Sequence, residues 1–117
     1  MNIAAVKKFC ASLPGAKGEI KWQVDLVYMV GGKMFCVAFE DKAKHATVSF
    51  KVDDDLFLQH TDRPGFIPAP YLARARWVQV NDLKAVGDAE LKGLIKRSHE
   101  LVAMKLTQKM RAELGLT

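Results

Sequence analysis

This chain of 117 residues has little of what does chemistry on its own. Its two cysteines, Cys10 and Cys36, stand far apart with no CxxC spacing and no neighbouring His pair, which excludes a zinc ribbon or finger and leaves two reduced, buried small hydrophobes. Its histidines, His45, His60 and His99, fall in a turn, at the end of a short helix and on a longer helix, so nothing links them into an acid–base set. The pair Gly31-Gly32 lies between two β-forming runs and opens no helix, so it is not a phosphate cradle. No apolar run approaches the ~18 residues that cross a bilayer, and "MNIAAVKKFCASLPG" has no basic region ahead of an apolar one. These absences point away from an enzyme, a metal site, a cofactor or a membrane partner, and toward a cytoplasmic protein.

What is present is a packed core and positive charge. Half of the residues are apolar and 26% are charged, the balance of a globular chain, and the length suits a single domain over 1–117. The net charge is +5. The excess lies in residues 1–52, with eight Lys against four acids, and in 87–117, with six basic residues against four acids. A surface of that sign favours phosphate backbones through counterion release.

Ile3, Val6, Phe9, Cys10 and Leu13 recur at helical spacing, with Asn2 as cap and Pro14-Gly15 as stop. Residues 24–30 and 33–39 read as strands joined by Gly31-Gly32 in a type I′ turn. "EDKAKHA" (40–46) makes a second turn into "ATVSFKV", where Ala46, Val48, Phe50 and Val52 alternate with Thr47, Ser49 and Lys51, so one side of that strand is wet. "DDDLFLQHT" predicts a short helix capped by Asp53 or Asp54, with Leu56, Phe57 and His60 inward. The prolines and glycine between Arg63 and Pro70 allow nothing longer than an edge strand. "ARWVQV" is a further strand. A long helix capped by Asp88 follows with the stripe Leu91, Leu94, Ile95, Ser98, Leu101, Val102, and Thr107 caps a separate last turn. The order predicts an α+β fold: an antiparallel meander of four or five strands, N- and C-terminal helices on one face, and the other face free.

Pro14-Gly15-Ala16, Trp22, "VGGKMFCV" (30–37), "VSFKVD" (48–53), "PAPYLARARWVQV" (68–80) and "LIKRSHELVAMKL" (94–106) together resemble the MmcQ/YjbR family of small bacterial proteins. The resemblance covers nearly all of the chain. It implies a fold like that of frataxin-type (CyaY-like) and secretion-chaperone domains, and DNA binding by a double-wing surface on which hairpins act as wings. Two positions depart from the family pattern: the acidic run Asp53-Asp54-Asp55 is heavier, and His99 stands where a tyrosine is expected. Iron delivery of the frataxin kind would need an acidic ridge on the first helix, which carries Lys7 and Lys8 and no acid.

The candidate nucleic-acid contacts follow. Tyr71, Arg74, Arg76 and Trp77 offer guanidinium groups for phosphates and flat rings for bases. Lys42, Lys44 and His45 sit at a hairpin tip, and Lys33 and Lys51 flank the strands. The competing reading has the aromatics plugging the sheet edge and the arginines solvated or paired with Asp82 and Glu40. The expected partner is nucleic acid, DNA before RNA, bound by a monomer or weak homodimer; about six phosphate contacts would cost ~10³-fold in affinity between 50 and 200 mM salt. The alternative is a protein-interaction or chaperone-like module that uses the exposed sheet face.

Overall fold

The computed structural model describes residues 1–21 and 25–116. Trp22 and the expected strand start at Val24 lie outside the described residues. The Asn2 side chain accepts a hydrogen bond from the amide of Ala5 at 2.8 Å and so caps α1 (Ile3–Ser12), as the sequence predicts. Val6 and Cys10 are fully buried on the inner stripe of α1, and Ile3, Phe9 and Leu13 pack at its margin.

Six strands form one antiparallel sheet: β1 (Ala16–Lys21), β2 (Asp25–Val30), β3 (Lys33–Glu40), β4 (Ala46–Lys51), β5 (Phe66–Pro68) and β6 (Trp77–Val80), in the order β1-β2-β3-β4-β6-β5. The α+β class is as expected, and the sheet is larger than expected. The added strand is β1, whose "AKGEIK" lacks the apolar alternation that marks a strand because most of it is exposed at the sheet edge. It is held partly by Tyr28, whose ring covers Gly18 so closely that a Cβ there would come within 2.9 Å. The other edge is β5, three residues long and ended by Pro68.

The β2–β3 hairpin turns at Gly31 and Gly32 with φ of +58° and +79°, the pair of positive angles that a type I′ turn requires. A side chain on Gly31 would also collide with Leu106, whose Cδ atoms lie 2.7 Å from where its Cβ would be. Further along β3 the register shifts: Tyr28 faces Cys36 and Met29 faces Met34, so Phe35 is an extra, bulged residue. The bulge turns both Phe35 and Cys36 into the core, where each is fully buried.

The long helix α3 (Asp88–Ala103) lies across β2, β3 and β4 beside α1. Its buried stripe is Leu91, Ile95, Ser98, His99 and Val102, with Leu94 and Leu101 at the margin. The Ser98 hydroxyl donates to the Phe35 carbonyl at 2.6 Å and accepts from the Lys51 amide at 2.9 Å, which ties the helix to two strands. His99 replaces the expected aromatic well: its ring stands edge-on to Phe35 at 5.1 Å, and its Nε2 meets the Pro14 carbonyl at 2.7 Å. The residue at the N-cap of α3 is Gly87 rather than Asp88, which pairs instead with the amino group of Met1 at 2.7 Å. Thr107 caps α4 (Gln108–Glu113) through a bond from the Met110 amide, as the sequence predicts.

The acidic segment differs from expectation. Residues Asp54–Leu56 form a 3-10 turn leading into α2 (Phe57–Thr61), and neither Asp53 nor Leu56 makes a side-chain cap bond. Leu56 is exposed rather than inward, while Phe57 packs against the core and His60 is half-buried, stacked on Phe66 at 6.1 Å. Cys10 and Cys36, distant in sequence, meet in the core as free thiols, and a hydrogen bond with Cys10 together with burial pushes the Cys36 thiol up. Among the described residues no helix is long and apolar enough to cross a membrane.

Candidate nucleic-acid interface

Strand alternation divides the sheet cleanly. One cross-strand row, Tyr28, Cys36, Phe50 and Val78, points at the helices; the next, Val37, Ser49, Gln79 and Ile67, points away from them. On the helix-free face Met34, Val37 and Phe39 floor a cleft of about 1060 Å³, with Ser49, Gln79 and Asn81 as its polar wall. Gln79 Nε2 donates to Asn81 Oδ1 at 2.6 Å.

The segment 69–76 closes one side of this cleft. Both ends of the loop are pinned to β6: the Ala69 amide donates to the Trp77 carbonyl at 3.0 Å, and the Trp77 amide to the Leu72 carbonyl at 3.3 Å. Between those bonds the chain must reverse twice, and it does so with Tyr71 at φ 65° and Arg76 at φ 63°. A bulky aromatic in the left-handed region costs about 1–3 kcal/mol. Tyr71 recovers none of this by packing, since its side chain is wholly exposed at the cleft rim. The one further non-glycine residue with positive φ among the described residues is Lys44, so all three such positions fall among the sequence-predicted contacts.

On its other side the same loop borders a second cleft of about 680 Å³, lined by Lys51, Arg74, Arg76, Arg97 and Lys105 together with Asp53 and Asp54. The acids are spoken for. Asp53 takes a two-pronged bond from Arg97 at 3.0 and 2.9 Å, which holds its carboxyl below the usual range, and Asp54 lies 3.8 Å from Arg76. Arg76 also lies over the Phe57 ring at 5.5 Å. Arg74 and Lys105 are exposed and have no ion-pair partner among the described residues. Lys51 donates to the Ala75 carbonyl, and burial, then the neighbouring charge of Lys105, hold its ammonium below its ordinary value. Three cations thus crowd one wall without a carboxylate for each, an arrangement that a bound anion relieves.

The nine predicted contacts therefore separate. Lys51, Arg74 and Arg76 come together, and Tyr71 stands beside them. Lys42 and Lys44 lie at the opposite end of β4 from Lys51 and line neither cleft, and Glu40 lies 3.9 Å from Lys44. His45 beside them lines the apolar cleft that Tyr71 also lines, with Asp41 at 4.0 Å and its Nε2 meeting the Asn81 carbonyl at 2.8 Å. Lys33 is exposed by the Gly-Gly turn and lines neither cleft. Trp77 is a correction: it is buried at 5% exposure under the loop it anchors, so its indole serves packing rather than stacking on a base. The expected pairing of the arginines with Asp82 and Glu40 is replaced by Asp54 for Arg76, while Asp82 caps the Lys84 amide. Arg97 and Lys105 were not singled out by sequence. With Leu101 they recur at intervals of four beside the buried stripe of α3, a visible pattern whose neighbour across the cleft, the end of β4, only the fold supplies.

Solved structures resemble the chain over most of its length, and two of them show how far the likeness reaches. One is the Deinococcus radiodurans protein DR2400, with a DUF419 domain: 25% identity, TM-score 0.87, covering 99% of this chain and 89% of that one. The other is a protein from Pseudomonas syringae: 20% identity, TM-score 0.74, covering 87% of this chain and 99% of that one, a likeness of fold alone. No curated protein matches the chain. The YjbR family model matches residues 11–101, a span running from the end of α1 through nearly all of α3 that includes the apolar cleft, the loop and all of the basic cleft's lining except Met104 and Lys105, and this chain belongs to the YjbR family.

Proposed function

We propose that this protein is a non-catalytic, cytoplasmic nucleic-acid-binding protein, monomeric or weakly dimeric, with DNA as the expected ligand. The observation that carries the reading is the cleft where Lys51, Arg74, Arg76 and Lys105 converge with too few acids to neutralise them. Phosphate is the anion this wall suits. Guanidinium groups take its oxygens in pairs, and several cations spaced along a groove meet successive phosphates of one strand. The hairpin tips expected to act as wings are secondary, because acids beside them offset their charge.

The test is fluorescence anisotropy with labelled DNA across a salt series. With about four phosphate contacts, the log–log slope should lie near −3 to −4, an affinity loss on the order of 100-fold between 50 and 200 mM salt. Replacing Arg74 and Lys105 together by Ala should flatten that slope by about 2 and leave the melting temperature unchanged. Absence of binding at low salt, or binding indifferent to salt, refutes the reading. It would leave ahead the rival function as a protein-interaction module, which the apolar cleft on the open face supports.

A further inference from the structure

The geometry points to single-stranded nucleic acid, rather than duplex, as the ligand, with unpaired bases entering the apolar cleft on the open sheet face while their phosphates follow the basic one. This inference rests on the reading above and names its substrate.

The juxtaposition that carries it is the loop between the two clefts. Pro70, Tyr71 and Leu72 line the apolar cleft, and Arg74, Ala75 and Arg76 line the basic one, so a few consecutive residues separate a place for bases from a place for phosphates. A single strand has that same two-sided chemistry, with a charged backbone along one side and flat apolar faces free on the other. A duplex does not, because its bases are stacked and paired inside a shell of phosphates.

Each side fits its half of the ligand. The floor of Met34, Val37 and Phe39 offers apolar contact and one ring, and Tyr71 stands free at the rim to stack on a base. In the wall, the Gln79–Asn81 bond uses one donor and one acceptor and leaves Gln79 Oε1 and Asn81 Nδ2 without partners among the described residues. An acceptor beside a donor is the pattern that a base edge complements. On the duplex side, the hairpin between β3 and β4 that would enter a groove carries its lysines next to Glu40 and Asp41. The strain held at Tyr71 also has a use here: it keeps a ring in solvent where a base can reach it.

The experiment compares a labelled dT oligonucleotide of about 16 nucleotides, the upper end of one fold's footprint, with the same strand annealed to its complement. The single strand should bind at least ten-fold tighter at low salt. Tyr71→Ala should weaken it roughly ten-fold while leaving the melting temperature unchanged or raised, because the ring packs on nothing. Phe39→Ala should weaken it comparably, with its folding checked by circular dichroism; Tyr71→Ala keeps the test sharp if that variant is lost. Duplex binding as tight as the single strand overturns this inference and leaves the proposed function intact. Strand-selective binding that ignores both substitutions overturns the role of the cleft. If neither form binds, the proposed function itself falls.

Discussion

Phe35 and Phe39 lie four residues apart on one strand and lead opposite lives. Phe35 is the bulged residue of β3: fully buried, edge-on to His99, with its carbonyl held by Ser98. Phe39, on the side away from the helices, is half-buried in the floor of an open cleft. The same contrast runs across the sheet. The helix side is a continuous apolar layer closed by Val6, Cys10, Leu91 and Ile95. The open side alternates small polar groups with a few apolar ones, ends at a charged wall, and holds its strain in Tyr71, Lys44 and Arg76. The helix side holds the main apolar core, and the open side leaves a cleft beside a charged wall.

The largest test of that contrast is a pair of truncations. Phe35→Ala should cost about 3–5 kcal/mol in urea unfolding, since it removes a filled site that the surrounding sheet and helix cannot collapse onto. Phe39→Ala should cost no more than about 1 kcal/mol. Equal losses would mean the open face is structural after all. The serines make a smaller pair. Ser98→Ala strands the Lys51 amide and the Phe35 carbonyl and should cost about 2 kcal/mol, whereas Ser49→Ala, whose hydroxyl has no such pair of partners among the described residues, should change stability by no more than about 0.5 kcal/mol.

Smaller still, and opposite in sign, is Tyr71→Gly. Relief of the left-handed backbone should raise stability by up to about 1 kcal/mol while weakening ligand binding. A destabilised Tyr71→Gly would show that the ring packs in solution. The smallest effect concerns His60, at the margin between core and surface. Burial, and then the charge of Arg63, hold its pKa below the ordinary value, and its Nδ1 is buried without a partner among the described residues. The unfolded chain therefore takes up a proton near pH ~6.5 that the folded one resists. Stability should be full above that pH and decline as pH falls through it toward the lower folded value. Melting curves between about pH 7 and 5 should show the decline, and His60→Gln should reduce it.

Much of the fold was legible because it rests on local pattern. The Asn2 and Thr107 caps, the Gly-Gly turn, the alternation in β4 and the stripe on α3 are short-range facts, each tied to a repeat of two or of about 3.6 residues. β1 escaped because an exposed edge strand needs no apolar alternation, and the bulge at Phe35 because one inserted residue leaves no mark in the periodicity. The candidate site was half legible. "YLARAR" supplied Tyr71, Arg74 and Arg76, but Trp77 in the same run faces a covering loop and is lost to packing. The lysines of the hairpin tip were readable as charges, and their acidic neighbours were in plain view, yet the offset depends on side-chain reach.

By itself, the sequence determined the class of the fold and the excess of positive charge, since those depend on composition and on residues near one another along the chain. Only the tertiary structure decided which charges meet. Lys51, Arg74 and Lys105 come from a strand end, a loop and the turn after a helix, and their shared wall exists because Ser98 and the sheet register fix α3 against β4. Long-range contacts set electrostatic distance, and no local pattern encodes them.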